Sequence, residues 1–238
     1  MDNAIYATLT RQSGLTRELQ SVANNIANAN TTGFRREGVV FSEHLTSLDR
    51  NGETLSMANA RGRNVDLRHG SLTQTNGQFD LGIEGDGFFM VATGQGNRLT
   101  RAGAFALNPD GELVDLAGNR VLDDGQAPIA IPNGVRHVAI GADGSVSADD
   151  QLVGRIGVFT SAVTSQMLHE EGTLFTPGAD VEASEDAKVR QGFLEESNVD
   201  PIREMARMIE VQRAYELGQS FLDNEDQRIR SVMISLTR

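Results

Sequence analysis

The two ends of the 238-residue chain carry apolar side chains at the spacing of an α-helix. Near the start, intervals of three and four residues connect most members of an apolar stripe, which predicts one helix from residue 3 to about residue 29. The stripe consists of Ile5, Leu9, Leu15, Leu19, Val22 and Ile26. The segment 28–33, Asn-Ala-Asn-Thr-Thr-Gly, is predicted to end the helix, because Asn and Gly readily adopt left-handed backbone.

The C-terminal end predicts a longer helix. Asp200 and Pro201 suit the N-cap and the first helical position, and no proline follows before Arg238. The apolar repeat alternates between intervals of three and four residues over Met208, Val211, Tyr215, Gly218, Leu222, Glu225, Ile229, Val232 and Leu236. This alternation predicts a coiled-coil seam that is weakened at Gly218 and Glu225.

The middle of the chain has the pattern of antiparallel β structure. Asn-Gly or Asp-Gly pairs begin at positions 51, 76, 86, 110, 124, 133 and 143, and such pairs favour tight hairpin turns. Short β-forming runs such as Phe88 to Val91 lie between several of them. We therefore predict an antiparallel, Gly-rich β domain, preceded by a polar and poorly periodic segment that forms an extended connection.

These elements predict an α+β protein whose N- and C-terminal helices pair as a coiled-coil-like stem outside the β domain. The expected regions are 1–33 for the N-terminal helix and loop, 34–70 for the extended connection, 71–197 for the β-rich outer domain and 198–238 for the C-terminal helix. A helix over 201–236 would be ~54 Å long, whereas the body has an expected radius of gyration near ~15 Å. The last helix should therefore overhang the body.

An overhanging apolar stripe needs a partner, so we predict that the terminal helices form subunit interfaces and that the chain polymerises. The interface residues expected on this basis are Ile5, Leu9, Leu15, Leu19, Val22, Ile26, Met208, Val211, Tyr215, Leu222, Ile229 and Val232. The competing interpretation is that each stripe packs only inside its own molecule.

Composition narrows the possible partners. The chain has 21 Lys+Arg against 33 Asp+Glu, and the resulting net charge of -12 disfavours nucleic acid and anionic lipid. Cysteine is absent, which excludes disulfides and thiolate metal sites. The N-terminus lacks the continuous apolar run of a secretory signal peptide, and no segment is long enough to span a bilayer. Export from the cytoplasm would need a route that cleaves no signal.

Patterns of catalytic and metal-binding residues are weak. The four histidines lack the spacing of metal ligands, and the segment 94–99 lacks the last glycine of a dinucleotide fingerprint. Segments at Asn108 and Asp143 suit ordinary turns rather than calcium loops. We predict no catalytic residue, cofactor site or metal site, and a protein that is not an enzyme. The alternatives are a secreted β-rich protein that binds or hydrolyses cell-wall glycan, and a sugar-binding or phage-tail-like fibre module.

The run from Ala23 to Arg35, ANNIANANTTGFR, resembles the N-terminal signature shared by bacterial flagellar rod and hook proteins. Further stretches agree in order: QTNG at 74 leading to IEGDGFF at 83, LTRAG at 99 with GELV at 111, and GFLEESNV at 192. The resemblance covers nearly the whole chain and is weakest from Ser42 to Arg68. The opening MDNAIY and the modest length are most similar to the proximal-rod type, with the distal-rod type as rival because VQRAYE at 211 is similar to it.

This resemblance implies a structural rod subunit that transmits torque and lines the export channel. Its terminal helices would form the inner tube of the periplasm-spanning rod, against other rod subunits and copies of itself, after export by the flagellar type III route without cleavage.

A signature loop is expected to fix the angle at which the first helix leaves the body, with Gly33 in a conformation closed to other residues. The signature residues are Asn24, Asn25, Asn28, Gly33 and Phe34. We also expect the ends of the isolated monomer to become fully ordered only on assembly.

Overall fold

The computed structural model describes the backbone of residues 2–48, 53–132, 134–161, 168–170, 172–177, 181–184 and 186–236, and it describes side chains over the same ranges except 2–6, 41–48, 53–63, 168 and 236. The chain forms two compact units. The first, here the helical unit, consists of residues 1–29, 36–66 and 199–238. The second, here the β unit, consists of residues 30–35 and 67–198.

The described residues form two helices and eighteen strands. The helices are α1 Asp2–Ala27 and α2 Pro201–Leu236. The strands are β1 Glu37–Leu48, β2 Glu53–Val65, β3 Leu72–Gln74, β4 Leu81–Glu84, β5 Phe88–Thr93, β6 Gly96–Thr100, β7 Phe105–Leu107, β8 Leu113–Asp115, β9 Arg120–Val121, β10 Val138–Ile140, β11 Ser145–Ala148, β12 Gln151–Arg155, β13 Val158–Ser161, β14 Leu168–His169, β15 Leu174–Thr176, β16 Val181–Ala183, β17 Lys188–Gln191 and β18 Phe193–Glu195. This α+β content confirms the coarse fold class.

Both terminal helices are confirmed, and local side chains explain their ends. The Asp200 carboxylate accepts hydrogen bonds from the backbone N–H groups of Ile202 (3.0 Å) and Arg203 (3.2 Å), so it caps α2 as expected. At the end of α1, the Asn28 side-chain amide donates to the Asn24 carbonyl at 2.9 Å. This bond competes with continued helix in the manner expected of Asn near a C-terminus.

In the helical unit, β1 and β2 pair antiparallel along their whole length, from Glu37 opposite Val65 to Leu48 opposite Glu53. A bulge lies between Val40 and Phe41. The segment that the sequence predicts as an extended connection is therefore extended and paired with itself. Polar and apolar residues do not alternate in this segment, so its sequence pattern does not predict β-strands. The Asn51-Gly52 pair lies outside the described residues.

The β unit is built from several antiparallel sheets. Among the described residues, the largest sheet has nine strands in the order β14-β15-β6-β5-β9-β8-β7, with β13 pairing with β5 and β16. A second sheet has the order β10-β11-β12, and the pairs β4–β17 and β3–β18 are separate. A continuous apolar core includes Leu81, Phe89, Val91, Val121, Val146 and Ile156, each at most 2% exposed. This core gives the unit its own source of stability.

Local turn signals predict some of these hairpins and not others. Asp110-Gly111 joins the paired strands β7 and β8, Asp143-Gly144 joins β10 and β11, and the Gly94-Gln95 tip joins β5 and β6. In contrast, Asp86-Gly87 lies between β4 and β5, which pair with other strands. Asn76-Gly77 follows β3, whose partner β18 is more than a hundred residues away in sequence.

Candidate functional site

The helices α1 and α2 contact each other within the helical unit. The Gln12 side-chain amide donates to the Tyr215 carbonyl at 2.9 Å, and Arg207 Nε donates to Glu18 Oε1 at 2.8 Å. Because the later residue of α1 contacts the earlier residue of α2, the two helices run antiparallel. At Arg207 burial lowers the pKa, but the hydrogen bond and charge of Glu18 outweigh that cost and raise its pKa overall.

The predicted interface residues occupy three environments in this unit. The buried ones are Leu15, Val22 and Val211. The half-buried ones are Leu19, Ile26, Met208, Tyr215 and Leu222. Leu9, Ile229 and Val232 are exposed, and the side chain of Ile5 lies outside the described residues. Residues 226–235 of α2 all carry exposed side chains, so the last turns of this helix have apolar surface without cover in the described part of the chain.

Gly218 has a specific role at the helix contact. A Cβ at this position would lie 2.8 Å from Gln12 Nε2, so a larger residue would collide with the side chain that bonds the Tyr215 carbonyl. Gly218, which weakens the predicted seam, therefore leaves room for the buried Gln12 side chain between the helices. Among the described residues, Gln12 Oε1 has no hydrogen-bond partner.

A second apolar stripe on α2 was missed by the sequence reasoning. Ile202, Met205 and Ile209 are 75%, 49% and 51% exposed, and their spacing places them on the side of the helix away from Val211. Farther along, Leu217 and Phe221 border a groove of about 370 Å³ between α1 and α2. Positions 202, 205 and 209 do follow helical spacing, but they lie outside the heptad seam from which the interface was predicted.

Asn25 is a buried connection inside the helical unit. Its Nδ2 donates to the Glu37 carbonyl at 2.8 Å and to Glu204 Oε2 at 3.0 Å, while its Oδ1 accepts from the Glu37 N–H at 2.9 Å. Arg36 forms an ion pair with the same Glu204. One signature asparagine thus holds α1 to β1 and to α2, and its side chain is fully buried with these partners.

Gly33 has the left-handed conformation expected from the sequence, with φ of 70°. A Cβ at this position would lie 2.3 Å from the backbone nitrogen of Ala102, so the close approach also requires glycine. The Gly33 N–H donates to the Glu195 carbonyl at 2.8 Å. Phe34 follows with a fully buried side chain, and its ring meets that of His169 edge to face at 5.9 Å.

Arg35, Arg101 and Glu195 form a buried ion cluster in the β unit. Arg35 Nη2 donates to Glu195 Oε1 at 2.6 Å, and Arg101 Nη1 donates to Glu195 Oε2 at 3.0 Å. All three side chains are at most 2% exposed. Burial lowers the pKa of Arg101, the charge of Glu195 opposes this effect, and the charge of Arg35 adds to it. Sequence reasoning missed the cluster because its members are far apart in the chain.

The net charge is divided unequally between the two units. The helical unit has 12 Lys+Arg and 14 Asp+Glu, whereas the β unit has 9 Lys+Arg and 19 Asp+Glu. The formal charges are therefore -2 and -10. Among the described residues, no group of three or more His, Cys, Asp or Glu side chains could hold a metal ion.

Comparison with known families gives three matches along the chain. Residues 5–35 match the model described as flagella basal body rod protein, residues 82–148 match the flagellar hook protein FlgE/F/G D1 domain, and residues 190–236 match the flagellar basal body rod FlgEFG protein C-terminal region. The flagellar basal-body rod protein FlgF of Caulobacter vibrioides is 41% identical, over 98% of this chain and 97% of that protein. The chain belongs to the flagellar basal-body rod protein family.

Other relatives place this rod protein within the family. The FlgF protein of Mesorhizobium japonicum is 38% identical over 91% of this chain and 90% of its own length. The FlgG protein of Bacillus subtilis is 29% identical over 98% of both chains. These identities favour the FlgF type. This rod protein is a structural subunit of the flagellar basal body, and rod proteins are not enzymes.

The matched regions contain the features described above. The N-terminal match covers α1 from residue 5 onward and the signature loop, and the C-terminal match contains Glu195 and α2. The hairpin β1–β2 lies outside all three matched regions, in agreement with the weak resemblance noted from Ser42 to Arg68. In the described part of this rod protein, each helix is too short or too polar to cross a membrane.

Proposed function

We propose that this rod subunit polymerises through the exposed faces of its two terminal helices and occupies the proximal rod. The observation that carries the proposal is the second stripe on α2. Ile202, Met205 and Ile209 are each about half exposed or more, although burial of such residues would stabilise a soluble monomer. Because the chain belongs to the rod family, the proposed partners are other rod subunits, including copies of this chain.

Within each subunit, α1 and α2 are proposed to form a coiled-coil-like stem. The buried residues Leu15, Val22 and Val211 hold the two helices together, and the exposed residues contact neighbours. When two different surfaces of the subunit meet, the contact is heterologous. Repetition of a heterologous contact that does not close into a ring generates a helical filament. The exposed turns over 226–235 would be covered by the next subunit in that filament.

In this arrangement the helices form the wall of the export channel, and the rod transmits torque across the periplasm. Its neighbours are copies of itself, other proximal-rod proteins and the distal-rod protein, with no insertion of the chain into a membrane. The proposed route to the rod is flagellar type III export without a cleaved signal peptide. A distal-rod position is the second candidate, because the similarity to FlgG of Bacillus subtilis also extends over 98% of the chain.

Charge substitution on the second stripe tests the interface. Ile209→Asp should leave the free energy of unfolding of the monomer within about 0.5 kcal/mol, since the side chain is already exposed. It should abolish motility and rod assembly in cells that carry no other copy of the gene. Leu116→Asp is the matched control, because Leu116 is 84% exposed in the β unit and should tolerate the charge. Normal motility with Ile209→Asp would contradict the proposal.

Proteolysis of dilute monomer tests the coupling of helix order to assembly. If neighbours supply much of the stabilisation, protease should remove residues before about 30 and after about 200 while the β unit stays intact. Full resistance of both ends in the monomer would show that the helical unit is stable without neighbours.

A further inference from the structure

Three stretches that carry the family resemblance each contribute one charged side chain to the buried ion cluster. Arg35 comes from the N-terminal run, Arg101 from the LTRAG stretch and Glu195 from the GFLEESNV stretch. These stretches are separated by some 60 to 160 residues in the chain and meet only in the folded β unit. The fold therefore brings one charged side chain from each stretch into a single buried ion cluster.

The cluster has an excess of positive charge. Two guanidinium groups share the single carboxylate of Glu195, whose Oε1 also accepts from the Gly70 N–H at 2.9 Å. Nε and Nη1 of Arg35 have no hydrogen-bond partner among the described residues, and Nε of Arg101 has none. Loss of the carboxylate would leave two buried cations side by side, whereas loss of either arginine would leave a balanced pair.

Glu195 also holds the signature loop through the backbone. The Gly33 N–H donates to the Glu195 carbonyl, so this residue contacts both Gly33 and Arg35 within the loop over 30–35. The strand β18 that carries Glu195 is itself fixed by pairing with β3. The loop therefore rests on a fixed strand through one hydrogen bond and one shared ion pair.

We propose that Glu195 is the positioning residue of the signature loop, and that its shared carboxylate holds residues 30–35 on the β unit in the conformation that rod assembly requires. Only Asn28 and Ala29 separate the loop from α1, so release of the loop would add flexible residues next to a helix that, in the proposed function, packs into the rod. The part that concerns assembly rests on the proposed function, whereas the part that concerns loop position does not.

Trypsin cleavage after Arg35 measures the position of the loop in the full-length protein. The Arg35 side chain is fully buried, so cleavage requires the loop to leave its site. In Glu195→Gln, which keeps the shape and removes the charge, cleavage after Arg35 should accelerate on the order of 100-fold. Cleavage after Arg101 should stay as slow as in the unchanged protein, because Arg101 also donates hydrogen bonds to the backbone carbonyls of Ile83 and Gly85 and so keeps its place without Glu195.

Two further variants distinguish loss of the Glu195 charge from general destabilisation of the β unit. Glu196→Gln is the matched control, because Glu196 is the adjacent carboxylate but lies on the surface and bonds Ser71 and Thr73. It should leave cleavage after Arg35 unchanged. Glu195→Asp keeps the charge and should restore at least part of the protection. The proposal is overturned if Glu195→Gln does not accelerate cleavage after Arg35, if it accelerates cleavage after Arg101 equally, or if Glu195→Asp or Glu196→Gln behaves like Glu195→Gln.

The assembly part is tested in cells with the same variants. Glu195→Gln should reduce rod incorporation and motility, and Glu196→Gln should preserve both. Normal rods built from a Glu195→Gln protein with a released loop would overturn this part. The surface substitution Ile209→Asp leaves the loop untouched, so failure of that variant to affect motility would reject the proposed helix interface without bearing on loop position.

Discussion

The two units differ in how much apolar surface they bury by themselves. The β unit has a continuous core, and its exposed large apolar side chains in the described residues are Leu107, Leu116 and Leu152. In the described part of the helical unit, the buried apolar side chains are Leu15, Val22, Val199 and Val211, and the exposed ones are Leu9, Val40, Ile202, Met205, Ile209, Leu217, Phe221, Ile229, Val232, Met233 and Ile234. One unit can be stabilised by its own interior, whereas the other retains apolar surface suited to neighbours.

Charge follows the same division. The β unit carries a formal charge of -10, which keeps its surface solvated and opposes close packing of one β unit on another. The helical unit carries only -2, so charge repulsion would oppose association of helical units much less than association of β units. The negative charge is thus concentrated in the unit with its own apolar core, and the unit with exposed apolar side chains is nearly neutral.

The strongest test of this comparison replaces one phenylalanine in each unit. Phe89 is fully buried and packs edge to face on Phe105 at 5.2 Å, so Phe89→Ala should lower the free energy of unfolding of the β unit by about 3–5 kcal/mol. Phe221 on α2 is 40% exposed, and Phe221→Ala should cost about 1 kcal/mol. Urea denaturation of the full-length protein measures both. Equal losses would mean that the helical unit depends on its own interior as much as the β unit does.

Gly33 tests the loop that belongs to the β unit. Gly33→Ala should cost about 1–3 kcal/mol, because the residue has positive φ and its Cβ would collide with the backbone of Arg101 and Ala102. Thermal unfolding measures the loss, and rod incorporation should fall as well. Gly94→Ala is the control, since a Cβ there meets no atom within 4 Å. A neutral result for Gly33→Ala would show that the loop can shift without cost.

The N-cap of α2 tests the helical unit alone. Asp200→Ala removes the acceptor of two backbone N–H groups and should cost about 1 kcal/mol. The expected result is a lower helical signal in circular dichroism of the monomer, with no change in the β unit. Asp223→Ala, at an exposed position inside α2, should keep or increase helicity. Similar changes for both variants would argue against capping as the cause.

The smallest expected effect is a change in the pKa of Glu170 in the β unit. The hydrogen bond from Arg98 and then that from Thr176 lower the pKa of Glu170 below its ordinary value. A carboxylate with a lowered pKa stabilises the fold fully above its unfolded pKa, and that contribution is lost as the pH falls through the folded pKa. In a nuclear magnetic resonance titration, Arg98→Gln should move the Glu170 midpoint back upward. An unchanged midpoint would remove Arg98 as the cause.

The predictable parts of the fold depend on short stretches of chain. The stripe along α1 and the Asp200-Pro201 start of α2 involve neighbours within a few turns of helix, so the sequence predicted both helices closely. The same holds for the hairpin turns at Asp110-Gly111 and Asp143-Gly144. Pairing of β3 with β18 was not predictable, because nothing local distinguishes one short strand partner from another.

The candidate site divides in the same way. By itself the sequence determined the signature run, the need for glycine at position 33 and the apolar stripes that point to assembly. Only the tertiary structure decided which stripe residues are buried against a partner helix and which stay exposed, because that choice depends on how α1 and α2 contact each other. It also decided that Arg35, Arg101 and Glu195 share one buried site, since an ion pair between distant residues leaves no periodic mark in the chain.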